Sequence, residues 1–187
     1  MENIEKLDLS SFDREREIAD LAEAVAVKAH EAWRQGWAEN SGVDLELVER
    51  NDQGIIIGTL PPRPKNTSDE EWLAEHGVTD GLVDIANLSA DQLPYDWKED
   101  NLKSAAIATS EIFAALDEGR SLDTEFIEAT SALVHQGWVA RHPEAPAEQA
   151  GDFVGLSEAE KDKDRGIVRL AIKAFWEQGV AGEAAEE

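Results

Sequence analysis

The chain has 187 residues with 41 acidic and 17 basic side chains, a net charge of −24, and 42% hydrophobic residues including six tryptophans. That composition supports a packed core and argues against global disorder. A strongly negative field argues against direct nucleic-acid binding, which needs Lys and Arg to neutralise phosphates. The absence of cysteine excludes disulfides, thiol catalysis and thiolate metal sites, and no apolar run approaches the roughly 20 residues that span a bilayer.

Met1–Lys6 lacks the basic-then-apolar pattern of a signal peptide, so a cytoplasmic location is expected and no membrane partner. Ser10 or Ser11 is placed to cap a long helix running to about Gly36. Its apolar stripe is Ile18, Leu21, Ala22, Val25, Ala29 and Trp33, at helical spacing. This helix and a later one both end, on this reading, in Gln-Gly-Trp: residues 35–37 and 136–138.

Residues 38–88 are mixed. The runs at 45–49 and 55–59, the second rich in β-branched Ile55, Ile56 and Ile57, flank Asn51–Gly54 and suggest a small hairpin. Pro61, Pro62 and Pro64 force extended backbone. Thr67 or Ser68 then caps a short helix through Trp72 that Gly77 closes, and Ser89 opens a further turn.

Pro94 suits the first turn of a helix that runs to about Leu116, with Leu102, Ala105, Ala106, Thr109, Phe113 and Leu116 inward. Ser121 or Asp123 starts the next, with Phe126, Thr130, Leu133, Val134 and Trp138 on one side. His142–Pro146 reads as a loop, and Ser157-Glu-Ala-Glu160 as a capping box. The last helix carries Ile167, Leu170, Ala171, Ala174 and Phe175 inward, and residues 180–187 read as a disordered acidic tail. The fold class is therefore mainly α: two packed helical pairs with a small hairpin or loop insertion.

Several stretches resemble one known family. His30-Glu31-Ala32-Trp33 with Gly36-Trp37, and Leu156-Ser157-Glu158-Ala159-Glu160-Lys161-Asp162-Lys163-Asp164-Arg165, look like the motifs of the RyR domain, the repeat first described in ryanodine receptors and also found in bacterial and phage proteins. Leu93–Asn101 looks like a second copy of the Leu-Ser-Glu entrance, with Asn101 where Asp is usual. Ser131–Val134 stands where the second His-Glu-x-Trp step belongs. The resemblance implies a degenerate tandem pair: a first repeat over 10–118 carrying an insertion at 38–88, and a second over 119–179. It also implies a recognition module with no enzymatic activity and no cofactor.

Motif chemistry points the same way. His30-Glu31-x-x-Arg34 has Arg where a zinc protease needs its second His, and Asp162–Gly166 lacks the spacing and the twelfth-position Glu of a calcium loop. With 41 carboxylates, chance pairs carry no evidence of acid–base catalysis. The constellation that points to binding is aromatic. Trp33 and Trp37 close one helix, Tyr95 and Trp97 open its expected partner, and His30, Arg34 and Lys98 lie beside them. Trp and Tyr offer contact area with a polar tip, and Arg pairs or stacks. His30, Trp33, Arg34, Tyr95, Trp97 and Lys98 are the candidate ligand-binding residues, for a small ligand or a protein segment, with a homodimer among the options. The other reading is an acidic interaction protein, such as a phage-type inhibitor or nucleic-acid mimic, that acts through its carboxylates.

Overall fold

The computed structural model describes residues 9–184, with side chains over 13–178. Six α-helices dominate these residues: α1 (Leu9–Asn40), α2 (Glu70–Glu75), α3 (Tyr95–Asp117), α4 (Thr124–Arg141), α5 (Ala147–Ala150) and α6 (Glu158–Ala184). Two short strands, β1 (Pro64–Asn66) and β2 (Leu82–Asp84), pair antiparallel. None of the described helices is long and apolar enough to cross a membrane.

The four long helices share one core. Leu21, Ala22 and Val25 of α1 meet Ala105, Ala108, Ile112 and Phe113 of α3, Phe126 and Val134 of α4, and Val168, Ala171 and Ala174 of α6. Many of these are alanines, so the helices approach closely and each contributes a narrow stripe. Phe113 and Phe175 meet edge to face at 5.6 Å, a favoured aromatic geometry. The four long helices therefore bury their apolar faces in a common centre.

Local signals set most helix boundaries. Pro94 is the N-cap of α3, and Asp123 caps α4 by accepting from the Glu125 and Phe126 N–H groups. Gly119 ends α3 at φ +68°, a left-handed turn that favours glycine. Ser157 caps α6 through Glu160 N–H at 3.3 Å, while the Glu160 carboxylate holds Lys163 instead of completing the box. α1 is already helical at Leu9, so Ser10 and Ser11 lie inside it; their side chains are outside those described. Residues 180–184 of the expected tail continue α6, and 185–187 lie outside the described residues.

Several expectations are corrected. Neither helix ends at Gln-Gly-Trp: α1 runs to Asn40 and α4 to Arg141. The two glycines differ. A Cβ on Gly137 would meet Ile107 Cδ1 at 2.5 Å, so the glycine there lets α3 and α4 approach; one on Gly36 would meet nothing within 4 Å. Leu102 and Leu133 are 37% and 40% exposed, the first a turn ahead of the shared core and the second beside the 126–130–134 stripe.

The hairpin at 45–59 is a loop with a single bridge, Arg50 to Ile56. Asn51 Oδ1 accepts from the Gln53 and Ile55 N–H groups and closes the turn. Only Ile56 of the three isoleucines is buried, so the 55–57 run presents one residue rather than a β face to the neighbouring chain. The extended pair forms further along the chain, where Pro64 faces Asp84 at the end of the β1–β2 ladder, a position that needs no proline N–H. The cap of α2 is Asp69, because the Thr67 and Ser68 hydroxyls bond Asp96.

The same Gln-Gly-Trp sequence should thus respond oppositely to one change. Gly36→Ala is expected to stabilise the fold by about 0.5–1 kcal/mol through helix propensity. Gly137→Ala should give no gain or lose about 1–2 kcal/mol through overpacking. Urea unfolding midpoints of the two variants check this directly.

Candidate functional site

The inward face of α1 changes character along its length. After Val25 it continues through His30, Arg34 and Ala38, at four-residue spacing, and all three are buried. This half faces residues 43–88. His30 Nε2 lies 2.9 Å from the Leu88 carbonyl, Arg34 Nε donates to the Ala86 carbonyl at 3.0 Å, and Trp37 Nε1 donates to the Pro61 carbonyl at 2.8 Å. Asn87 closes the loop on itself: its Oδ1 accepts from Leu60 N–H and its Nδ2 donates to the Leu60 carbonyl. Around these bonds sits a second small core of Ala38, Ile56, Leu60 and Ala86.

Arg34 is 2% exposed, and its second arm holds the Glu31 carboxylate at 2.8 Å. The other Glu31 oxygen, Oε1, is buried with no hydrogen-bond partner among the described residues. Arg34 is thus an internal tie whose charge is used up. Burial lowers the pKa of His30, the Arg34 charge adding to it and the Leu88 bond opposing it, which keeps the ring neutral with its proton on the nitrogen facing the carbonyl.

The second half repeats this arrangement. His135 Nε2 lies 2.8 Å from the Gly151 carbonyl. In each half the carbonyl precedes a 3-10 turn, Ala90–Gln92 or Phe153–Gly155, then a buried leucine, Leu93 or Leu156, then a long helix. The His-to-carbonyl span is 58 residues in the first half and 16 in the second. Trp33 stacks on His30 at 5.8 Å, and Trp138 on His135 at 6.3 Å. One turn further on, Trp37 stacks on Trp33 at 6.3 Å and His142 on Trp138 at 4.5 Å. His135-Gln-Gly-Trp138, and not Ser131–Val134, is therefore the counterpart of the His30–Trp33 step. Trp37 corresponds to His142, so the two Gly-Trp pairs are a full helical turn out of register. The signal in the sequence is the shared His-x-x-Trp spacing at 30–33 and 135–138.

The structure does not bring the six candidate residues into one patch. His30 and Trp33 form the stack with Trp37. Tyr95, 66% exposed, lines a shallow hollow of about 470 Å³ with Trp72 and the carboxylates of Asp69, Glu70, Glu71, Glu75 and Asp96. Trp97 lines a different depression, and Lys98 is exposed on α3 with no ion pair among the described residues. Neither depression is lined by Trp33 or Trp37.

The depression at Trp97 is the larger, about 780 Å³. Three parts of the chain wall it: Lys65–Ser68 of β1 and its turn, Asp96–Lys103 of α3, and Arg141, His142 and Glu144 at the end of α4. Trp97 is fixed by Nε1 donating to the Asn66 carbonyl at 3.0 Å. Asp96 accepts from the Thr67 hydroxyl and from the Ser68 N–H and hydroxyl at 2.7–3.0 Å, joining the insertion to α3. Arg141 spends three donors on Asp100, the Gly137 carbonyl and Ser104. His142 donates Nδ1–H to the Trp138 carbonyl at 2.9 Å, leaving Nε2 3.9 Å from Asp100.

Two kinds of group are left over. Lys65 has no ion-pair partner among the described residues; burial lowers its pKa, and Arg63 and Lys163 push the same way. Glu144 is exposed, and the second oxygen of Asp100 accepts no hydrogen bond among the described residues. Lys65, Asp100, Lys103 and Arg141 were missed from sequence because charged residues in so acidic a chain read as solvated surface. Comparison of the chain with family models, curated proteins and solved structures finds no match in any of the three.

Breaking the Arg34 tie should be costly. Arg34→Met leaves the Glu31 carboxylate buried and unpaired, and is expected to lose about 3–5 kcal/mol. The pair Glu31→Gln with Arg34→Met should recover a large part of that loss. Chemical denaturation of the three proteins measures it, and equal stability of single and double variants would contradict the assignment.

Proposed function

We propose that this protein is a non-enzymatic, RyR-like binding module that takes a small polar ligand or a short protein segment in the groove beside Trp97. The observation that carries this reading is the groove's construction. It is walled by both helical halves and by the insertion, and it presents an indole together with an unpaired ammonium and unpaired carboxylate oxygens. A ligand with both donors and acceptors, and a flat apolar part for Trp97, matches that lining. The repeated His-to-carbonyl arrangement supports the tandem-repeat part of the reading.

A second reading, an acidic interaction surface, is favoured by the hollow around Tyr95, where five carboxylates surround an exposed aromatic ring. Such a surface would bind a basic partner, and its affinity would fall steeply with salt.

The test is a ligand-induced thermal-shift and tryptophan-fluorescence screen with polar metabolites and short peptides, repeated on variants. Compounds bound in the groove should lose at least about tenfold in affinity, some 1.4 kcal/mol, in Lys65→Glu and Trp97→Leu. They should bind normally to Tyr95→Ala and weaken only modestly with salt. Compounds that are blind to Lys65 and Trp97 but lost in Tyr95→Ala, with a steep salt dependence, would transfer the function to the acidic hollow.

A further inference from the structure

The two halves differ in one buried group. In the second half, His135 Nδ1 lies 3.2 Å from Asp164 Oδ2, and the two side chains are 7% and 13% exposed. The first half has Asn101 at the corresponding place, eight residues after Leu93 as Asp164 is eight after Leu156. His30 therefore has a carbonyl partner and no acid, whereas His135 has both.

The hydrogen-bond chemistry of this triad counts protons. The Gly151 carbonyl only accepts, so His135 Nε2 carries a hydrogen. The contact with Asp164 then needs one more proton, either on Nδ1 or on the carboxyl. Without it, a ring lone pair faces a carboxylate in a buried site, an arrangement with no bond and an uncompensated charge. The proton therefore decides whether Asp164 of α6 holds or repels the His135 ring of α4, and that ring is what bonds the 151–156 segment through the Gly151 carbonyl. That segment packs through Phe153, 6.1 Å from the His135 ring, and through buried Leu156. It is continuous with His142 and Glu144, which form one wall of the groove.

We propose that His135 and Asp164 form a proton-operated latch that clamps the 142–156 segment when it holds the shared proton, loosens the segment when that proton is lost, and so regulates the groove. The regulatory part rests on the groove reading above; the latch does not.

The electrostatics agree in direction. Burial pushes the Asp164 carboxyl up to about 6, against the pull of His135 and Lys163 and with a small upward push from Glu160. On the other packed elements, the segment's acids Glu144, Glu148 and Asp152 are exposed, and Asp100 of α3 is tied to Arg141. Because the folded value lies above the ordinary one of 3.8, the stability this carboxyl contributes is full below that ordinary value and is lost as pH rises through about 6. The latch is closed on the acid side.

Asparagine imitates the protonated acid, since its amide can donate to Nδ1 at any pH. Hydrogen exchange of the 142–156 amides, corrected for intrinsic rates, should show at least about tenfold loss of protection from about pH 5 to about pH 8, confined to that segment. In Asp164→Asn the protection should not change with pH. Protection that is flat in the parent, or equally pH-dependent in Asp164→Asn, would overturn the latch. Should the variant fail to fold, the carboxyl carbon shift of Asp164 in the unaltered protein decides the matter: titration near 6 supports the latch, and titration in the ordinary carboxylate range overturns it. A groove ligand should bind several-fold tighter at about pH 5 than at about pH 8 in the parent and equally at both in Asp164→Asn. Protection that changes without a change in that affinity overturns the regulation. A protein that binds nothing in the groove overturns the groove reading, and the latch then stands or falls on the exchange result alone.

Discussion

A histidine ring, buried on the inner face of a helix and donating through Nε2 to a loop carbonyl, is the contact from which the rest of this molecule is built. It occurs twice, at His30 with Leu88 and at His135 with Gly151. Each bond joins a helix to the loop that feeds the next, and so sets where that second helix begins. The leucine after each loop is buried, the following helix enters the shared core, and an aromatic ring stacks over the histidine. A loop carbonyl is an acceptor that must be satisfied once it leaves water, so replacing either ring with an apolar residue would leave both a void and an orphaned acceptor. The four-helix core supplies the apolar driving force, but the histidines determine how the loops lie over it.

The groove follows from this arrangement. α3 starts where the His30 bond places it, α4 ends shortly beyond the second histidine, and the insertion fills the space between through Asp96 and Trp97. In a chain of net charge −24 many cations are consumed by neighbouring carboxylates. Arg165, for example, clamps Glu128 through two bonds and also reaches Glu158 and Asp162. Lys65 has no ion pair among the described residues, whereas the other cations of the groove, Lys103 and Arg141, are paired with Glu99 and Asp100; it is the groove's one uncommitted cation among the described residues.

Much of the helical frame was legible in the residues, because its signals are local. Pro94, Asp123, Gly119 and Ser157 act within a turn of their own positions, and the stripes through Val25, Ala105 and Ala171 need only helical periodicity. Within 38–88 the short helix around Trp72 that Gly77 closes was legible, whereas the rest was not, because its structure comes from single bonds to distant partners: Arg34 to Ala86, Trp37 to Pro61, Asn87 to Leu60. Local propensity at Ile55–Ile57 favoured a hairpin, yet of those three only Ile56 is buried. The match between the two histidine arrangements was hidden for a similar reason. A repeated Gly-Trp is conspicuous as text, but the repeated physical role belongs to the histidine three residues before one tryptophan of each half. Of the six expected ligand-binding residues, Trp97 alone lines the larger groove, while Arg34 and His30 are spent on holding the insertion.

Each of the four histidines of the chain should carry its proton at a definite position. His30 and His135 face carbonyls through Nε2, whereas His76 and His142 face the Trp72 and Trp138 carbonyls through Nδ1. Long-range proton–nitrogen correlation spectra of the imidazole rings read this directly. The expected result is a hydrogen on Nε2 of His30 and His135, slow to exchange with water, and on Nδ1 of His76 and His142. A hydrogen on Nδ1 alone at His30 or His135, or fast exchange of their Nε2 protons, would contradict the claim that buried histidine-to-carbonyl bonds organise both halves.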